Sequence, residues 1–338
     1  MIRRLIAYVS SFLLGDLAAK GGIQYNLFNN LLVAKFIPHP YLLYELKPLF
    51  VSKNKLTTHT KDGFRGPFFL TANNIKSTIV CLGDSTTYCE KIDDDYKTYP
   101  SQLHKTLKEK YRKDVQVINA GVPGYTSTET LLQYILKISN KKPKIIIYYH
   151  SHNDVHARRF PNLSRDYKEY SRSWFEPHGR SIFLGRMKRR INLAKGNITG
   201  FIRKLDETRG KRQASNVLKN PPTGFIENLK IITIIAKAYD TRVLFINPPY
   251  RTLGHKKTIK AQTVNPAWEA VNEHCKAVEK IADLHPCVVL SMAKKLPYPE
   301  EPYDFPAKYF FDPVHLNEAG AERFAKIVAE KIIDEKLL

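Results

Sequence analysis

The chain is short of cysteine and has no CxxC pair. Its four thiols, Cys81, Cys89, Cys275 and Cys287, stand among 338 residues. They are too few for a disulfide scaffold and wrongly spaced for a structural zinc site. No run of 18 apolar residues occurs, so a clear membrane-spanning helix is missing from the sequence. With 16 glycines and 20 prolines, collagen-like and low-complexity character are excluded. Acidic residues are scarce as well: 32 Asp and Glu face 54 Lys and Arg, a net charge of +22. That excess draws the chain to something anionic, whether nucleic acid, phospholipid headgroups or an acidic glycan. No nucleic-acid motif accompanies the charge, which sets nucleic acid aside as a partner. What is present is 43% hydrophobic and 25% charged residues. This is a globular composition, at a length suited to one large α/β domain with additions.

Residues 1–19 read MIRRLIAYVSSFLLGDLAA. Ile2, Leu5, Ile6, Val9, Phe12, Leu13 and Leu17 share one helical face, with Arg3, Arg4, Ser10 and Ser11 elsewhere. Asp16 interrupts the apolar run and no clean A-x-A site follows, so an amphipathic helix fits better than a cleaved signal. Such a helix either packs on its own protein or lies on a membrane surface. Residues 39–70, rich in Pro, Tyr and Phe, read as irregular. Residues 1–70 are thus read as an N-terminal helix and leader, ahead of a domain spanning 71–338.

From residue 77 onward, apolar runs alternate with helical patterns. Strands are expected at 77–82 (STIVCL), 115–118, 144–149 (KIIIYY), 242–246 (RVLFI) and 287–290 (CVVL). Helices are expected at 98–112, where Thr98 can cap and Pro100 suits the first turn, and at 126–139, opened by a Thr126 to Glu129 capping box. Others are expected from Thr223, over 266–283 and over 317–334. This rhythm implies a parallel sheet covered on both faces. Residues 155–224 break it, with 17 Lys and Arg against 5 Asp and Glu. The segment reads as a basic insertion, either a lid or docking surface or a solvated helical addition.

The chemistry-bearing residues fall at strand ends, where open parallel sheets bind ligands. The first strand ends in Gly83-Asp84-Ser85-Thr86-Thr87, a tight turn that can expose a serine hydroxyl at a helix start. The second ends in Asn119-Ala-Gly121-Val-Pro-Gly124, whose glycines leave backbone N–H groups at the rim. The third ends in His150-Ser-His-Asn153-Asp154, where an amide offers an N–H donor. Before the last helix stands Asp312-Pro-Val-His315. An Asp three residues before a His can accept from one ring nitrogen and leave the other free for a hydroxyl proton. His150, His152, His156 and Asp154 lack a further acidic cluster, so no metal is expected. Cys81 and Cys89 read as packing residues.

These blocks resemble the SGNH hydrolase superfamily, the GDSL esterases and lipases: GDSTT at 83–87, NAGVPGYTS at 119–127, SHND at 151–154 and DPVH at 312–315. HPYLLYELKP at 39–48 and GFRG at 63–66 resemble the leader of some bacterial envelope-associated members. The resemblance implies an α/β fold of flavodoxin-like type, three α/β/α layers around a central five-stranded parallel sheet. It implies a carboxylic ester hydrolase with Ser85 as nucleophile, His315 as general base and acid, and Asp312 orienting His315. The oxyanion hole would be the N–H of Ser85, the N–H of Gly124 and the side chain of Asn153, with no cofactor and no metal. One departure stands out: Ser151-His152 replaces the usual Gly before the Asn, which bears on the shape of the oxyanion hole. The expected reaction is hydrolysis of an acyl or acetyl ester of a carbohydrate or lipid through an acyl-enzyme. Acyl transfer to a sugar hydroxyl, and a non-catalytic module docking on an anionic membrane or polymer, are the two other readings. The expected location is a bacterial cell envelope or membrane surface, with the cytoplasm as the alternative.

Overall fold

The computed structural model describes residues 35–67, 77–150, 152–170, 216–249, 266–293, 295–298 and 306–338. A short antiparallel hairpin, β1 (Phe36–His39) and β2 (Leu43–Leu46), comes first. Five strands then build one sheet: β3 (Ser77–Gly83), β4 (Val115–Gly121), β5 (Ile145–Tyr149), β6 (Arg242–Asn247) and β7 (Cys287–Ser291). All pairs are parallel and the order is β4-β3-β5-β6-β7. The helices are α1 (Ser85–Tyr88), α2 (Tyr99–Glu109), α3 (Ser127–Gln133), α4 (His152–Ala157), α5 (Thr223–Ala238), α6 (Pro266–Leu284) and α7 (Glu318–Asp334).

The strands are apolar on both faces because both faces are covered. Along β3, Ile79 and Cys81 point into one cluster with Leu103, Leu107, Phe324 and Val328, from α2 and α7. Val80 and Leu82 point into the other, with Leu131, Phe225, Leu229 and Ile232, from α3 and α5. That alternation is the period of two of a strand, and it makes three α/β/α layers. The flavodoxin-like arrangement and all five strands expected from the sequence are present. The chain leaves β3 toward β4 on one side and later returns to β5 on the other. The switch point therefore lies at the carboxyl ends of β3 and β5, where such folds hold their ligands.

Three local expectations change. Residues 36–46, of which the part from 39 onward reads as irregular in the sequence, form the β1–β2 hairpin. Thr98 precedes α2 but does not cap it; its hydroxyl donates to the Asp95 carbonyl at 2.9 Å. The helix opened by the Thr126 to Glu129 capping box is α-helical only to Gln133 and continues as one π-turn, Tyr134–Ile138. Among the described residues no helix is long and apolar enough to cross a membrane. The N-terminal amphipathic pattern at 1–19 lies outside the described residues, as do residues 171–215 of the basic insertion.

Candidate active site

At the end of β3 the backbone turns sharply. A Cβ on Gly83 would lie 2.1 Å from the Tyr149 carbonyl oxygen and 2.4 Å from Thr87 Oγ1, so only glycine lets β3 end this close to β5. The next residue, Asp84, is the cap of α1: its buried carboxylate accepts from Thr86 N at 2.8 Å and from Thr86 Oγ1 at 2.7 Å. Ser85 is thereby the first residue of α1 rather than its cap. A four-residue helix has no stability of its own. The surroundings of α1 must hold it, and they include the leader. Arg65, 3% exposed, donates from Nη1 to the carbonyls of Tyr88 (2.7 Å) and Cys89 (2.8 Å). Its Nη2 reaches the Ile92 carbonyl at 2.5 Å, and its Nε reaches Asp95 Oδ1 at 2.8 Å. Asp95 also accepts from Thr58 N (2.7 Å) and Thr58 Oγ1 (2.8 Å), so the buried ion pair is hydrogen-bonded on both sides.

The loop before α7 brings His315 to the serine. His315 Nε2 lies 2.9 Å from Ser85 Oγ, across 230 residues of sequence. Its Nδ1 lies 2.9 Å and 2.8 Å from the two oxygens of Asp312. The Asp312 Oδ1 also accepts from the backbone N–H of Val314 (3.0 Å) and His315 (2.9 Å), so one carboxylate shapes the loop and orients the ring. Burial alone would push the Asp312 carboxyl upward. The bonds from the His315 ring and the two N–H groups outweigh it and hold the carboxyl down at about 2. Ser85, His315 and Asp312 therefore stand in one hydrogen-bonded line.

The rim opposite is built from the ends of β4 and β5. Gly124 adopts φ +86°, in the left-handed region, within the turn closed by Tyr125 N to Val122 O. Asn153, near the start of α4, donates from Nδ2 to the Tyr125 carbonyl at 2.9 Å. A primary amide has two N–H groups, so this bond fixes the side chain and leaves one donor over. The same carbonyl lies 2.8 Å from His150 Nε2. Asp154, fully buried, accepts from Ser127 N (3.0 Å) and Ser127 Oγ (2.5 Å), tying the exit of β5 to the start of α3. Burial raises its carboxyl, against the pull of His150 and Ser127.

His152, the residue that replaces the expected glycine, packs edge-on to His156, with ring centroids 4.6 Å apart, and 6.4 Å from Trp268. Burial first, then the neighbours His156, Arg159 and His315, push its ring down to about 3. It stands there as a neutral ring. Tyr298 flanks the same side and donates to the Pro313 carbonyl at 2.8 Å. Arg158, at the start of the basic insertion, is fully buried. It pairs with Glu273 and donates to the Asn220 and Ala270 carbonyls. Arg186, Lys188, Arg189 and Arg190, also in that insertion, lie outside the described residues.

Sequence reasoning assigns no role to Tyr44, Arg65, Trp268 or Tyr298. Tyr44 and Arg65 had a signal in HPYLLYELKP at 39–48 and GFRG at 63–66. Trp268 and Tyr298 sit in ordinary aromatic contexts with no motif of their own.

A family model described as the GDSL-like Lipase/Acylhydrolase family matches residues 81–323. No curated protein matches the sequence. Among solved structures, the acetyl xylan esterase AlAXEase is similar at 16% identity, over 75% of this chain and 99% of that one, with a TM-score of 0.46. A variant of Axe2, an acetyl xylan esterase from Geobacillus stearothermophilus, is similar at 15% identity over 76% of this chain and 94% of its own, with a TM-score of 0.47. LAE5, an alpha/beta hydrolase enzyme from the metagenome of Lake Arreo, is similar at 14% identity over 76% and 94%, with a TM-score of 0.46.

Proposed function

We propose, for a chain that belongs to the GDSL-like lipase/acylhydrolase family and is a carboxylic ester hydrolase, that Ser85, His315 and Asp312 carry the reaction through an acyl-enzyme. The observation that supports this most is the 2.9 Å approach of His315 Nε2 to Ser85 Oγ with Nδ1 held on Asp312. Ser85 Oγ attacks the ester carbonyl carbon as its proton passes to His315 Nε2. The tetrahedral oxyanion is met by the N–H of Ser85, the N–H of Gly124 and the remaining amide hydrogen of Asn153. Collapse expels the alcohol, which takes the proton from His315. Water then attacks the acyl-enzyme by the same proton route, releases the carboxylic acid and restores Ser85. Asp312 stays ionised throughout and stabilises the imidazolium.

We assign the alcohol to carbohydrate or lipid at a bacterial envelope surface. A chain with a net charge of +22 is drawn to such material where it is anionic. The direct test is hydrolysis of p-nitrophenyl acetate by wild type and Ser85→Ala. Loss of turnover in the variant, with an unchanged melting temperature, supports the reading. Retained turnover overturns it.

A further inference from the structure

The leader supplies a side chain that reaches the rim of the site. Tyr44, on β2, is buried at 6% exposure and donates from Oη to the Pro123 carbonyl at 2.5 Å. That carbonyl belongs to the Pro123–Gly124 peptide group, whose N–H is the Gly124 donor assigned to the oxyanion hole. In a trans peptide the C=O and the N–H lie in one plane and point in opposite directions. A bond that holds the Pro123 oxygen therefore sets the direction of the Gly124 N–H, on the far side of the same plane. It also polarises the group, which makes the N–H a better donor.

The surroundings fix this contact from both ends. A Cβ on Gly124 would lie 2.3 Å from Tyr44 Oη, so the phenol occupies the space a side chain at 124 would need. Tyr125 donates from its own Oη to the Tyr44 carbonyl at 2.5 Å, and the two rings meet edge-on with centroids 5.4 Å apart. The Tyr125 carbonyl in turn accepts from Asn153, the third oxyanion donor. Leader, glycine loop and Asn153 are thus one network. Burial raises the Tyr44 phenol well above its ordinary range, so it stays protonated and a donor wherever the enzyme works. Tyr44 lies outside the 81–323 segment that the family model matches.

We propose that Tyr44 is a positioning residue of the oxyanion hole: its hydroxyl aims and polarises the Gly124 N–H through the Pro123 carbonyl. The leader is then part of the catalytic apparatus and not only a packed extension. This rests on the reading of Ser85, Gly124 and Asn153 given above.

The test is Tyr44→Phe in the full chain, which keeps the ring and removes only the hydroxyl. Loss of a whole oxyanion donor lowers kcat by ~10²–10³-fold. Loss of the bond that aims one donor should lower kcat on p-nitrophenyl acetate by about 10-fold, with KM within about twofold. Inhibition by an aryl boronic acid, whose serine adduct is a tetrahedral anion, should weaken by a similar factor. A kcat within twofold of wild type, or a loss carried by KM alone, would overturn the proposal. So would unchanged boronic acid affinity. Ser85→Ala separates the two levels of failure. If it abolishes turnover while Tyr44→Phe does nothing, the role of Tyr44 falls and the serine mechanism stands. If Ser85→Ala remains active, the site reading falls first and this inference with it.

Discussion

The Arg65 guanidinium meets the Asp95 carboxylate at 2.8 Å in a pocket where the two side chains are only 1% and 4% exposed. The pair joins the leader to the segment that follows α1. The other Arg65 donors go to the carbonyls of Tyr88 and Cys89, at the end of α1, and of Ile92 beyond it. A lysine cannot reproduce that planar fork. Arg65→Met, which removes the charge and leaves the Asp95 carboxylate unpaired, should lower stability by about 3–5 kcal/mol, the usual result of breaking a buried pair from one side. Thermal or urea unfolding checks it. A loss under about 1 kcal/mol would place this contact with ordinary surface pairs.

The imidazole and its carboxylate should fail unequally. His315→Ala removes the proton acceptor and should cut kcat by at least ~10³-fold, while Asp312→Asn should cost ~10²–10⁴-fold by offering the ring the wrong partner. Asp312 is held down at about 2, so it is a carboxylate at every working pH. The deficit of Asp312→Asn should persist from about pH 5 to pH 9 rather than vanish at the acid end. Steady-state kinetics across that range decide it.

Asn153 donates one amide hydrogen to the Tyr125 carbonyl, and the proposed mechanism gives the other to the oxyanion. Asn153→Ala should lower kcat by ~10²–10³-fold with a smaller change in KM, because the donor matters most when charge develops. A loss borne by KM alone would make Asn153 a ground-state binder.

Much of this was legible in the sequence, for identifiable reasons. The strand runs declared themselves because burial on both faces demands unbroken apolar residues, as in Ile145–Tyr149. Ser85 and the Asp312 to His315 pair were legible because a turn after a strand and a short Asp–His spacing are local patterns. The hairpin at β1–β2 was hidden: Pro38 lies inside it, and its four-residue strands are too short to show alternation. The burial of Arg158 was hidden because a charge beside another charge looks solvated. Its partners, Glu273 and the carbonyls of Asn220 and Ala270, lie more than 60 residues away. The contact of Tyr44 was hidden for the same reason: its partner carbonyl is 79 residues downstream.

His59, in the leader, carries a pH test of the fold. Its Nδ1 donates to the Lys47 carbonyl at 2.9 Å and its Nε2 accepts from Tyr88 Oη at 3.0 Å, so the ring sits there neutral. Burial lowers it from 6.5 to about 4. The folded value lies below the unfolded one, so between them the unfolded chain holds more protons. Stability from this group is therefore complete above about pH 6.5, falls as pH drops toward 4, and is level below that. The full effect is at most ~3 kcal/mol. Buried carboxylates such as Glu129 and Asp154 are raised by burial and act in the opposite sense. The measurement is therefore a difference: wild type against His59→Gln, by urea unfolding at pH 7 and pH 4.5. The variant should lose less stability on acidification. Parallel curves would contradict the assignment.

The central claim is that Ser85 is an activated nucleophile. Labelling the full chain with a fluorophosphonate and locating the adduct by peptide mass spectrometry tests it most directly, because the probe reports the activated serine without requiring the natural ester. The account predicts one adduct on the peptide containing Ser85, strongly reduced in His315→Ala and absent in Ser85→Ala. Labelling that survives in Ser85→Ala, or an adduct on a different serine, would contradict it.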